Sequence, residues 1–146
     1  MYIYAMSESL RDIKKELSSK GKQVLRHLIR IILYPNADAY NHWKQEIVAF
    51  IAYTDKVKGK SKFPKKKLIL DALQSQNDMI HQVIWQVKVT ERDLEPAEID
   101  ENIILDSVCE YQNWLAEELS KNGVIDPYEA YKVLDRIVEE ANGGSI

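Results

Sequence analysis

The amino-acid sequence predicts an all-α fold: a single-domain helical bundle of five or six helices, most of them antiparallel neighbours. Two observations carry this. Gly21, Pro35, Gly59, Pro64, Pro96, Gly123, Pro127, Gly143 and Gly144 all fall where a helix could end. Inside a helix glycine costs about 1 kcal/mol and proline about 3 kcal/mol, so their placement acts as punctuation. Between these breaks the apolar residues recur at helical spacing, and no stretch shows the long alternation of a strand. A length of 146 residues suits one domain with a sizeable core, and 45% apolar content is too high for a disordered chain.

The first helix is expected from Ser7, a good N-cap, to Ser19, with Leu10, Ile13 and Leu17 as its stripe. The second covers Lys22 to Leu33, with Leu25, Leu28, Ile29 and Ile32 on one side. Gly21 either bends the two apart or marks a weak point in one helix. Pro35 ends this pair, and Asn36 or Asp38 caps the third helix, Ala37 to Val57, whose face carries Tyr40, Trp43, Ile47, Phe50 and Ile51.

The fourth helix is expected to open at Pro64, a residue suited to a first helical position. Ile69, Leu73, Gln76, Ile80, Val83 and Val87 follow in steps of four and three. Residues 83–90 are β-branched enough to read as a strand. A lone strand would have nothing to pair with, so helix is favoured. Pro96 is expected to open the fifth helix, which carries Ile99, Ile103, Val108, Tyr111, Leu115 and Leu119 until Asn122 and Gly123 stop it. The sixth has the clearest start, with Asp126 as N-cap, Pro127 at the first position and Glu129 at the third. Residues 1–6 and 143–146 are expected as loose ends, and 58–63 as a basic loop. One tryptophan falls in each long helix, Trp43, Trp85 and Trp114, and all three are expected to anchor a shared core.

Residues 1–67 carry 15 Lys/Arg against 6 Asp/Glu, and residues 68–146 carry 5 against 17, so halves of +9 and −12 sum to a modest −3. Charge of one sign on one stretch is solvated, paired within the fold, or offered to a partner. The densest part is Lys56, Lys58, Lys60, Lys62, Lys65, Lys66 and Lys67, seven ammonium groups in twelve residues, with Phe63 among them. Such a cluster could grip phosphates, with Phe63 stacking on an unpaired base. It equally suits a solvated loop, or a mate for the acidic run Glu91, Asp93, Glu95, Glu98, Asp100 and Glu101. No helix-turn-helix, RNP or zinc-finger signature supports sequence-specific readout.

Asp38, His42 and Glu46 are spaced four apart on one predicted helix face, and Asp78 and His81 form an Asp-x-x-His pair on another. These spacings fit half of a helical-bundle metal site, provided the helices bring them together. Cys109 reads as a small core thiol; a single cysteine allows no internal disulfide and fits a reducing compartment. There is no glycine-rich phosphate loop, no Gly-x-Ser-x-Gly and no His-Glu-x-x-His. Val24 to Tyr34, the richest apolar stretch, is interrupted by Arg26, His27 and Arg30 and is too short to span a bilayer. Met1 to Met6 is apolar but lacks a basic leader and a cleavage site, so a cytoplasmic location is the default.

Val24-Leu25-Arg26-His27-Leu28-Ile29-Arg30, Pro35, Trp43 and Ile47 resemble one stretch of a bacterial all-helical family, domain of unknown function twenty-nine. The resemblance covers residues 24–47 and implies an all-helical bacterial protein with no assigned activity. The +9/−12 charge split and the absence of a catalytic motif, not the resemblance, give the expected function: a non-enzymatic interaction protein that binds a protein partner or itself through its oppositely charged halves. Nucleic-acid binding through the lysine cluster and a metal-dependent helical-bundle enzyme are the alternatives. No cofactor is expected.

Overall fold

A computed structural model describes the backbone of residues 2–58 and 65–144, and the side chains of these from residue 11 onward except Ile13, 51–58 and Asn122. The described residues form six α-helices: α1 Tyr2–Leu33, α2 Tyr40–Lys58, α3 Lys66–Leu73, α4 Ile80–Thr90, α5 Glu101–Asn122 and α6 Pro127–Ala141. One 3-10 turn, Asn77–Met79, leads into α4. No strand occurs among the described residues, so 83–90 is helix.

The second half of α1 is the axis of the molecule. Val24, Leu25, Leu28, Ile29, Ile31, Ile32 and Leu33 are all buried, so this stretch is covered on nearly every side. A helix apolar all round must be surrounded, and α2, α3, α4, α5 and α6 all touch it. Burial of each large aliphatic side chain contributes about 1.5–3 kcal/mol. Ile47 of α2, Ile69 of α3, Val87 of α4, Ile104, Tyr111 and Leu115 of α5, and Leu134 and Ile137 of α6 close the core around it.

Contacts fix the helix directions. Lys20 lies over the Phe50 ring while His27 meets Glu46, so α2 runs antiparallel to α1. Lys66 meets Glu117 and Asn77 meets Gln112, so α5 runs back along α3. Arg26 reaches Gln86 and Arg30 reaches Glu91, so α4 runs in the same direction as α1.

Four boundaries differ from the sequence expectation, three of them for a tertiary reason and one through a local turn. The two helices expected on either side of Gly21 are one helix of 32 residues, already helical at Tyr2. Gly21 is buried against α3, where an added Cβ would lie 3.0 Å from both the Cα and the carbonyl oxygen of Leu73. The glycine is there for close helix approach and not for a bend.

The expected fourth helix is broken. α3 starts at Lys66, two residues past Pro64, and ends at Leu73; a turn at 74–76 and the 3-10 turn precede α4. The break is held by an amide pair between the buried Gln112 and the half-buried Asn77. Asn77 Nδ2 donates to Gln112 Oε1 at 2.8 Å and Gln112 Nε2 donates back to Asn77 Oδ1 at 3.0 Å. Gln112 Nε2 also donates to the Leu73 carbonyl at 3.2 Å, satisfying one of the orphan acceptors at the end of α3.

The fifth helix starts at Glu101 and not at Pro96. Asp100 is its N-cap, accepting from the Asn102 amide at 2.7 Å. Residues 95–100 instead form an irregular segment at the end of α1, where the Ala97 amide donates to the Leu33 carbonyl at 2.8 Å. The third helix starts at Tyr40, after a turn from Pro35 to Ala39.

The remaining ends follow the sequence. Gly123 stops α5 in the left-handed conformation, φ 70°. Asp126 caps α6 by accepting from the Tyr128 amide at 3.0 Å, with Pro127 at the first position. Asn142 closes α6 and sends its Nδ2 to the Ile32 carbonyl at 3.1 Å, so the last helix helps cap α1.

Candidate functional site

The lysine cluster divides on the structure. Lys65, Lys66 and Lys67 are exposed at the start of α3. Lys66 Nζ lies 2.8 Å from Glu117 Oε2, and Lys121 Nζ lies 3.2 Å from Glu117 Oε1. The two ammonium groups hold the Glu117 carboxyl below its ordinary pKa, chiefly through these hydrogen bonds. One member of the cluster is thus spent on the acidic half, as are Arg30 on Glu91 and Lys44 on Asp135. Lys56 and Lys58 lie in the last turns of α2, with side chains outside the described set, and Lys60, Lys62 and Phe63 lie outside the described residues altogether.

The five residues proposed for a metal do not form one site. His42 and Glu46 do meet: His42 Nε2 lies 2.7 Å from Glu46 Oε1. The other Glu46 oxygen is taken by Nε2 of His27, a residue outside the proposed set. His27 Nδ1 lies 2.9 Å from the Gln23 carbonyl oxygen, which can only accept, so that nitrogen donates. The buried His27 ring also stands edge-on to Phe50, with centroids 5.6 Å apart. The outcome is a bridge from α1 to α2, with the carboxylate oxygens turned to different rings. His81 pairs instead with Glu101, and Asp38 and Asp78 are exposed. No group of three or more His, Cys, Asp or Glu able to hold a metal ion occurs among the described residues.

Two further polar clusters serve the fold. Cys109 is half-buried, its thiol accepts from Asn77 Nδ2 at 3.6 Å, and burial pushes its pKa up, which lowers the thiolate fraction a nucleophile needs. Between α2 and α6, Asp135 Oδ1 accepts from the Tyr40 hydroxyl at 2.8 Å and from Lys44 Nζ at 2.7 Å. The Lys44 ammonium also lies over the Tyr40 and Tyr131 rings, 5.0 and 5.7 Å from their centroids. An aromatic seat for a cation is therefore already filled by the chain's own lysine. A cleft of about 410 Å³ opens where α1 ends, between Pro35 and Pro96, and is also lined by Leu94 and Glu95. It brings together none of the acid–base or nucleophile pairs that a reaction needs.

The tryptophans correct an expectation. Trp43 is buried and Trp114 is partly buried against the core, as expected. Trp85 is 64% exposed. α4 buries Ile80, Val83, Ile84 and Val87 on one side. At about 100° per residue, Trp85, Val89 and Gln82 fall together on the opposite side. Val89 is likewise exposed. This face was legible in outline: the buried stripe runs Ile80, Val83, Val87, and Trp85 lies off it. The general tendency of tryptophan to be buried hid that offset.

No helix among the described residues is long and apolar enough to cross a membrane. Comparison of the chain with protein-family models, with curated proteins and with solved structures gives no match.

Proposed function

We propose that this chain is a non-enzymatic protein–protein interaction module that works through the outward face of α4. The observation that carries the reading is Trp85, which presents most of its ring to solvent from the middle of a helix whose other side is firmly packed. Tryptophan is the residue type most enriched among those that dominate binding energy at interfaces, because a rigid ring buries much area at small entropic cost. Val89, one turn on, widens the apolar spot, and Lys88 with the exposed Gln82 and Gln86 supplies a polar rim. The absence of a catalytic motif in the sequence and the filled or divided state of each polar cluster favour binding over chemistry.

A photo-crosslinking side chain placed at Gln82 tests this in cells. The expected product is a protein–protein adduct that disappears when Trp85→Ala is added. If no adduct depends on Trp85, the proposal is wrong.

A second reading, phosphate binding by the start of α3, draws on the exposure of Lys65 and Lys67. It predicts salt-sensitive retention of nucleic acid on a filter that is lost when the seven lysines become glutamine. Equal retention by both forms, or none by either, ends it.

A further inference from the structure

The outward side of α4 carries opposite charges at its two ends. At its first turn, His81 Nδ1 lies 2.7 and 2.9 Å from the two carboxylate oxygens of Glu101. That contact brings the acidic start of α5, Asp100 and Glu101, beside the N-terminal end of α4. Asp78, exposed in the 3-10 turn just before α4, adds a third carboxylate there. At the other end, Lys88 and Arg92 are exposed; of the two carboxylates beside Arg92, Glu91 is held by Arg30 and Asp93 is exposed past the end of the helix. His81, Trp85 and Lys88 lie within about 60° of one another around the helix. The stripe therefore reads acid, tryptophan, base along its length.

We infer that the partner of this face is a second copy of the chain, docked with its α4 antiparallel to the first across a two-fold axis. The inference rests on the reading of α4 as an interaction face. Two-fold pairing places the same patch on both sides, so the patch must complement itself. An acid–aromatic–base stripe does so in one direction only. Antiparallel docking sets Lys88 and Arg92 against Asp78, Asp100 and Glu101 of the other copy, and brings the two Trp85 rings together at the centre. Parallel docking would oppose like charges, which is costly. α4 has 11 residues and is about 16 Å long, so the contact falls at the small end of specific interfaces and the dimer is weak. A micromolar or weaker Kd follows.

Sedimentation equilibrium of the purified chain, at concentrations up to about 1 mM, reads this directly. The expected result is a monomer–dimer equilibrium that weakens as salt rises from about 0.1 M to about 1 M, where the screening length falls from about 10 Å to about 3 Å. Trp85→Ala should weaken dimerisation about 30-fold. Lys88→Glu with Arg92→Glu, and separately Asp78→Lys with Glu101→Lys, should each weaken it about 10-fold or more through like-charge opposition. An equimolar mixture of the two charge-reversed chains should dimerise as the original does. Far-UV circular dichroism checks that each variant folds, and Val89→Arg replaces Trp85→Ala should the latter lose helix. A dimer indifferent to both the Trp85 and Val89 changes, or a mixture that stays monomeric, overturns the inference. A chain monomeric throughout also overturns it, and a Trp85-dependent adduct to a different protein would then leave the interaction reading standing.

Discussion

Replacing Gly21 with alanine sets two effects of known size against each other. Alanine stabilises the middle of a helix by about 1 kcal/mol relative to glycine, so in an isolated α1 the change would help. In the folded chain the new Cβ would meet Leu73 Cα at 3.0 Å, Leu73 O at 3.0 Å and Ala72 O at 3.2 Å. Every one of these is backbone, so no side chain can turn away. Nor is the backbone free to retreat, because the Leu73 carbonyl is also the acceptor for the buried Gln112 amide. A few tenths of an ångström of retreat would stretch that bond or push α3 off its seat on Ile69, Ala72 and Leu73, all buried. Overpacking of this kind costs about 1–3 kcal/mol, and about 1 kcal/mol of helix propensity offsets part of it. The net expectation is a loss of up to about 2 kcal/mol, or up to roughly 8 °C in melting temperature for a chain of this size. Urea unfolding followed by circular dichroism measures it, with Lys22→Ala, an exposed neighbour on the same helix, as the reference. A Gly21→Ala chain more stable than the original would refute the close-approach argument and restore the glycine as a mere weak point.

Three other outcomes are expected. Gln112→Leu leaves the buried Leu73 carbonyl and the half-buried Asn77 amide without their partner, and should cost about 1–3 kcal/mol in urea unfolding; a loss below about 0.5 kcal/mol would show that the amide pair does not hold the α3–α4 break. Tyr111→Phe removes a fully buried hydroxyl that has no hydrogen-bond partner, and should stabilise the fold by about 1 kcal/mol. Burial raises the folded-state pKa of Tyr111, so its contribution is complete below about pH 10, the unfolded value, and is lost as pH climbs beyond it. In alkaline titration tyrosinate absorbance from this ring should appear only with unfolding, and the Phe variant should unfold at higher pH; an unchanged alkaline midpoint would contradict this. Finally, the Glu117 carboxyl should titrate below the usual glutamate range by NMR and move back up in Lys66→Gln, whereas an unmoved value would mean that the Lys66 contact is not formed in solution.

What could be read from the chain depended on whether the deciding contact was local. The start of α6 was legible because Asp126, Pro127 and Glu129 all act within one turn, and Gly123 stops α5 through its own φ. The break between α3 and α4 was not, because the apolar steps of four and three continue through it. The residue that holds it, Gln112, is 39 positions away from the carbonyl it ends on. Pro96 looked like a helix start because proline suits that place, yet the segment around it is taken up by the Leu33 carbonyl of α1. The same limit applies to candidate sites. Spacing put His42 and Glu46 on one face correctly, but only the packing of α1 on α2 shows that His27 takes the other carboxylate oxygen. Five residues were therefore proposed for one ion, while the fold uses His42 with Glu46 and His81 with Glu101 in separate bridges and leaves Asp38 and Asp78 exposed. Trp85 was misassigned by its residue type, although the phase of its own helix pointed outward.

The way α1 is finished has a consequence for biosynthesis. Its apolar second half precedes in the chain every element that shields it, and its Ile32 carbonyl waits for a side chain 110 residues downstream. At translation speeds of about 5–20 residues per second, that interval lasts roughly 5–20 s. During that time the run of isoleucines and leucines is covered only in part, first by α2 and later by the helices that follow, and stays sticky toward its neighbours. Slowing elongation after this segment should raise the share of nascent chains captured by chaperones, and appending the missing helices in trans should lower it.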